Sequence, residues 1–324
     1  MKFTSIPEAY SSFREPLLYA FDTELAEPQD VELKIIDKSN GTTLGSKRLH
    51  GVTTGEVDIA PYLRSEAVTA LPDSITECGE VDTHSQIKVV VEAEGVSSAV
   101  RNYIAAKVDL DKIYTPLMTQ LTHRTMAHDE FDLISFFSLP DIVVEVVVEF
   151  FGKGTERISI TPASGGQRVV AVTARGREDV ESIRATVMVD GVATTVVEYE
   201  IKENLRSARR VAWFNDHLAP ELYTFPLRKS VLIEAARKRM ESIWGREAAT
   251  AERENELKLI SAYEPQAQIE ALSSILSTPK AWLVKGCELQ RVEITTDRVM
   301  PATSGKMGII EVDIRAAQEG ERLW

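Results

Sequence analysis

Ile183–Val189 and Thr194–Ile201 are two runs of alternating apolar and polar residues with Asp190-Gly191 between them. An Asp-Gly pair accepts positive φ at both central positions of a type I′ turn, so these residues close a tight hairpin and commit their surroundings to a sheet. The pattern recurs. Val31-Glu32-Leu33-Lys34-Ile35-Ile36 alternates with period two and enters Asp37-Lys38-Ser39-Asn40-Gly41, a second hairpin turn. Val57–Arg64 reads as a strand ending in a turn initiated by Pro61, and Gln86–Ala93 and Ala99–Val108 as a pair around Gly95. Ile142–Phe151, Arg157–Thr161 and Arg168–Thr173 are rich in β-branched residues.

Short strands at this spacing predict a mainly β protein. At 324 residues the chain is long enough for two or three domains. We read residues 1–110 as one β-sandwich, 111–205 as a second, and 206–324 as a smaller α+β domain with a dominant sheet. No residue-level repeat relates the first two. In the third segment, Leu232, Ala235, Ala236, Met240, Ile243 and Trp244 fall at helical spacing and predict a helix over Lys229–Trp244. Its rival is a strand, because Val231, Ile233 and Ala235 also alternate. Gln266–Ser277, between Pro265 and Pro279, predicts a helix with Ile269, Leu272, Ile275 and Leu276 on one face. Strands return at Ala281–Val284, Val292–Thr296 and Ile309–Ile314, while Gly245–Glu254 reads as solvated loop.

Charge and motifs exclude more than they identify. Thirty-seven basic against 50 acidic residues leave a net charge of −13, the wrong sign for binding nucleic acid over a broad face. Arg206, Arg209 and Arg210 beside Trp213 and Phe214 therefore read as a linker flank and a hydrophobic anchor rather than a strand-binding patch. Cys78 and Cys287 cannot form a disulfide framework, which suits a reducing cytoplasm. Asp141–Phe151, the longest apolar stretch, opens on Asp141, has two further carboxylates inside it, and falls far short of the ~20 residues of a membrane helix. Met1–Glu8 has no apolar stretch of the secretory kind, so no signal peptide is expected, and the sequon Asn40-Gly41-Thr42 reads as a turn.

Gly41–Lys47 has the flavour of a phosphate loop but the wrong order and a hairpin context, and Gly165-Gly166 reads as a turn. His123–Asp132 is dense in potential metal ligands, yet the five-residue spacing of His123 and His128 fits neither a helix face nor a strand face, so we read a polar loop. Cys287 reads as a free, partly buried thiol. We expect no catalytic residue, no cofactor and no metal.

Trp213-Phe214-Asn215 followed by Glu221-Leu222-Tyr223-Thr224-Phe225 resembles a Trp-x-Asn … Tyr-Thr-Phe signature of structural, tail-associated β-sandwich proteins of phages and prophages of Bacteroides-type gut bacteria. Phe13–Tyr19, Val57–Leu63 and Ala281–Val284 fit the same resemblance, although Leu218-Ala219-Pro220 stands where a glycine-rich turn is expected. The resemblance implies a non-enzymatic virion component, assembled in the cytoplasm, whose partners are copies of itself or other virion proteins. It carries over no catalytic residues. Trp213, Phe214, Tyr223 and Phe225 are then candidate interface residues, since aromatics dominate the desolvated centres of protein contacts; the alternative is that they fill the domain's own core. Two rival functions remain: a carbohydrate- or ligand-binding module, with Tyr62, Tyr103 and Tyr114 as candidates by residue type alone, and a hydrolase on a sandwich scaffold.

Overall fold

The computed structural model describes residues 1–66, 71–72, 75–81, 86–106, 118–161, 165–203, 207–242, 245–286, 288–299, 302–304 and 306–317. In its first part the strands are β1 (Lys2–Ser5), β2 (Leu18–Asp22), β3 (Gln29–Asp37), β4 (Thr43–Val52) and β5 (Thr54–Asp58), followed by helix α1 (Ala60–Glu66) and then β6 (Gly79–Val81), β7 (Gln86–Ala93), β8 (Val96–Ser97) and β9 (Arg101–Ile104). Val31, Leu33 and Ile35 of β3 face Val89 and Val91 of β7, Tyr19 and Phe21 of β2 and Val57 of β5 in one core. Two antiparallel sheets, β1-β2-β5 and β4-β3-β7-β8 with β9 beside β7, enclose it. The expected turn at Pro61 is instead the first turn of α1, where a missing N–H costs nothing. Asp58 Oδ1 caps the step by accepting the Ala60 and Leu17 N–H groups at 2.9 and 2.8 Å.

The second part supplies β10 (His123–Ala127), β11 (Phe131–Ser138), β12 (Val144–Phe150), β13 (Gly154–Ile160), β14 (Gly166–Thr173), β15 (Ser182–Val189) and β16 (Val192–Lys202). The sheet β10-β16-β15-β12-β13 packs on β11-β14-β6. Asp190 and Gly191 have φ of 48° and 79°, as the hairpin of β15 and β16 requires. In the three-stranded sheet β11 is buried on both faces, whereas Glu80 of β6 is exposed. Ile134 and Phe136 of β11 enter the second core, while Phe131 and Leu133 enter the first. Strand β6 belongs to the first part by sequence and to this sheet by pairing, so the two sandwiches share a layer.

The third part holds β17 (Arg209–Phe214), β18 (Pro220–Phe225), β19 (Leu227–Ser242), β20 (Gly245–Ile260), β21 (Glu264–Pro265), α2 (Gln266–Ser273) continued by a 3-10 turn (Ser274–Ser277), β22 (Ala281–Lys285), β23 (Glu288–Ile294), β24 (Ala302–Ser304), β25 (Met307–Ile309) and β26 (Glu311–Ala316). Seven strands form one sheet in the order β18-β17-β22-β23-β26-β20-β19, and α2 lays Ile269 and Leu272 on it. The mainly β architecture with β-sandwich domains is thus present. Two local expectations are corrected. The helix over Lys229–Trp244 is strand up to Ser242, with Ile243 and Trp244 outside the described residues, and the loop over Gly245–Glu254 is strand β20. Pairing along the full length of both segments outweighs a helix propensity worth only tenths of a kcal/mol per residue.

Candidate functional site

Trp213, Phe214, Tyr223 and Phe225 do not form a surface. They are 0%, 4%, 3% and 1% exposed. Alternation along β17 sends Val211 and Trp213 into the core beneath α2, where the indole N–H donates to Ser274 Oγ at 3.0 Å, and turns Ala212 and Phe214 towards the core of the first sandwich. Tyr223 lies edge-on to Phe225 with centroids 5.0 Å apart, and its hydroxyl donates to Glu264 at 2.8 Å. Burial drives the Tyr223 phenol well above its ordinary value, and the neighbouring carboxylate adds to this. The interface expectation for these four residues gives way to their role as core.

Beneath them is a buried ion network that sequence reasoning did not assemble. Arg124 of β10 pairs with Asp132 of β11 and, at 2.5 Å, with Glu221 of β18. Arg210 of β17 reaches the other oxygen of Asp132 at 2.6 Å, the Phe131 and Thr125 carbonyls at 3.0 Å each, and Thr224 Oγ1 at 2.9 Å. The Gln120 N–H and Asn215 Nδ2 complete Glu221 at 2.5 and 2.8 Å. Burial pushes the Glu221 carboxyl upward against the pull of Arg124, and does the same to Glu130, which lies 3.9 Å from Arg210. The Tyr199 hydroxyl sits among these charges without a hydrogen-bond partner among the described residues, its phenol driven far up by burial. Two arginines against Asp132 and Glu221 are balanced, and their bonds join the second sheet system to the third. Enclosed on all sides, the network is a structural junction.

The remaining residues singled out by sequence are dispersed. Within His123–Asp132, Asp132 and Glu130 turn to the arginines, while His123 lies exposed at the start of β10. Arg210 is interior, out of reach of any phosphate, and Arg206 lies outside the described residues. Tyr103 is fully buried, its hydroxyl 2.7 Å from that of Tyr19, and burial raises both phenols. Tyr62 leans over Gly45 and donates to the Ser46 carbonyl at 3.3 Å; Tyr114 and Cys287 lie outside the described residues. Cys78 is half-buried, and burial raises its thiol. Gly41–Lys47 is the turn and opening of β4, with Gly41 at φ 75°.

The longest strand pairing among the described residues is the β19–β20 hairpin. Its rungs run from Leu227 opposite Ile260 to Ser242 opposite Gly245. On its far side β20 pairs with β26 only over Glu256–Ile260, and β19 is the edge of the sheet. At the root Lys258 lies 3.3 Å from Asp313 and 3.6 Å from Glu311. Although partial burial works against it, these carboxylates hold its ammonium above the ordinary lysine value. Beyond the last rung shared with β26, residues 245–255 and their partners continue as a two-stranded arm roughly 35 Å long at about 3.3 Å per residue. Among the described residues no third strand pairs with the ribbon along that length.

No protein-family model matches the chain, and no curated protein matches it. Among solved structures it is similar to the crystal structure of Dpr2 Ig1-Ig2 in complex with DIP-Theta Ig1-Ig3, at 6% identity over 98% of this chain and 90% of that one. The TM-score is 0.19, too low to bear on fold or function. No helix among the described residues is long and apolar enough to cross a membrane.

Proposed function

We propose that this protein is a non-enzymatic building block that works by assembling with other protein chains, in a phage or prophage virion put together in the cytoplasm. The observation that carries the assembly reading is the arm. An isolated two-stranded ribbon is marginal in water, and long open strand edges recruit further strands unless something covers them. A chain that extends its edge strand to 16 residues and carries it past its own sheet has surface suited to another chain. The buried ion network supports the same reading, because it ties two sheet systems into a base from which such an arm can act. The virion as the particle rests on the resemblance around Trp213–Phe225.

Size-exclusion chromatography with light scattering over a concentration series, with negative-stain imaging of the leading peak, tests this. Rings, tubes or discrete oligomers are expected. A strict monomer at every concentration, unchanged when the arm is shortened, would overturn the reading.

A further inference from the structure

We propose that Asn40 is a self-modification site, at which the chain converts its own side-chain amide into aspartate and isoaspartate with water as the only co-reactant. The Asn40-Gly41-Thr42 triplet, read from the sequence as a turn, is the exposed tip between β3 and β4.

In this reaction the Gly41 backbone nitrogen loses its proton to hydroxide and attacks Asn40 Cγ, so that an N–C bond forms and a five-membered ring closes. The Cγ–Nδ2 bond breaks, and the amide nitrogen leaves as ammonia after taking a proton from water. Water then opens the ring. Aspartate results when the Gly41 nitrogen leaves Cγ, and isoaspartate when it leaves the backbone carbonyl carbon. One water is consumed and one ammonia released, with no oxidation or reduction.

The tip is arranged for this attack. As the nitrogen approaches Cγ, negative charge builds on Asn40 Oδ1, and that oxygen already accepts the Thr42 N–H at 2.9 Å and the Thr42 hydroxyl at 2.7 Å. Donors set in advance where charge develops are the working part of an oxyanion hole. The nucleophile is unshielded. Gly41 has no side chain, and a Cβ built there would meet nothing within 4 Å beyond its chain neighbours. All three residues are exposed, so base and water reach the reacting atoms. One bond opposes attack, from the Gly41 N–H to the Asp37 carbonyl at 2.8 Å. It lies beyond the last β3–β4 rung, Ile36 opposite Thr43, at the end of the hairpin that opens most readily.

Other asparagines lack this combination. Only Asn40 precedes a glycine, whereas Asn102 precedes Tyr103. Asn215 is the closer comparison, because its Oδ1 also accepts two N–H groups, those of His217 and Ala219 at 2.9 and 3.1 Å. Its Nδ2, however, is held by the Met118 carbonyl at 2.9 Å and Glu221 at 2.8 Å, and the residue is buried, so departure of ammonia and entry of water are both blocked. The effect of the reaction at Asn40 is local. Isoaspartate inserts a carbon into the main chain of the tip, and either product adds a negative charge there, while β7 still holds β3 through Leu33–Asp37.

Full-length protein aged under mildly alkaline conditions and digested with trypsin tests the assignment. The peptide Ser39–Lys47 should gain the mass difference between an amide and an acid, and should become a substrate for isoaspartyl methyltransferase. In isotope-labelled water it should take up one labelled oxygen. Peptides containing Asn102 and Asn215 should stay unchanged, and Asn40→Gln, whose longer side chain closes a ring far less readily, should abolish the change in an intact fold. Thr42→Val should slow it about fivefold, the worth of one hydrogen bond at a solvated site. A Ser39–Lys47 peptide that ages no faster than those of Asn102 and Asn215 would overturn the proposal. So would acid formed without isoaspartate, since direct hydrolysis of the amide gives aspartate alone. An unaltered rate in Thr42→Val would overturn the part assigned to the Thr42 hydroxyl.

Discussion

Asp132 shows how one side chain acquires a role its sequence neighbourhood does not announce. Among the histidines and acids of 123–132 it resembles a loop residue; in the fold it divides its two oxygens between Arg124 and Arg210. Replacing one member of such a set leaves charges buried without a counter-ion. Arg124→Met is therefore expected to cost about 3–5 kcal/mol, read as a lowered urea midpoint with an unchanged m-value. A loss below about 1 kcal/mol would mean that water reaches the network. Glu130 gives a prediction in pH. Its carboxyl is raised in the folded state because burial outweighs the attraction of Arg210, so the folded protein holds that proton more tightly than the unfolded chain. Stability from this group is present below the ordinary carboxylate range and is lost as pH rises through the folded-state value. Relative to Glu130→Gln, the wild type should lose stability as pH rises above the ordinary carboxylate range, measured as the difference in urea midpoints; a difference that is flat or rises with pH would contradict this. Trp213→Ala, which empties a fully buried site, should cost about 3–5 kcal/mol and yield poorly folded protein rather than a folded chain that fails to assemble.

At the scale of elements, the β19–β20 hairpin is where local and long-range preferences disagree. Leu232, Ala235, Ala236 and Met240 have helical spacing and good helix formers around them, yet the segment pairs as strand from Leu227 to Ser242. Fifteen rungs of backbone pairing, interrupted at Lys229/Val231 and Lys238/Arg239, decide it. Only the proximal rungs are fastened to β26, so the arm and the body should be energetically separable. Replacing residues 234–253 by an Asn-Gly turn is expected to leave the melting temperature of the body within a few degrees of wild type while abolishing self-association. A collapse of the melting temperature would show that the arm is part of the body's core. By contrast β11, with Phe131-Asp132-Leu133-Ile134-Ser135-Phe136-Phe137, is buried on both faces and lacks alternation for that reason, so period-two reading passes over it.

For the whole molecule, the shared layer β11-β14-β6 and the arginine network connect the sheet systems, so unfolding of the body should be a single cooperative transition followed alike by tryptophan fluorescence and far-UV circular dichroism. Two resolved transitions would show that the junction does not couple them.

The amino-acid sequence by itself determined the strands whose signal is local: the period-two runs of β3, β7 and β15, the Asp190-Gly191 hairpin, and α2 between its two prolines, because turn chemistry and side-chain periodicity act over a few residues. It did not determine what Trp213, Asp132 or the 227–260 segment would do. Whether an aromatic lies in a core or on a face depends on which sheet covers it; whether a carboxylate meets a guanidinium depends on strands some 78 to 97 residues apart in sequence. The 227–260 segment became strand through pairing of its two halves with each other and with β26, contacts that exist only once the chain has folded.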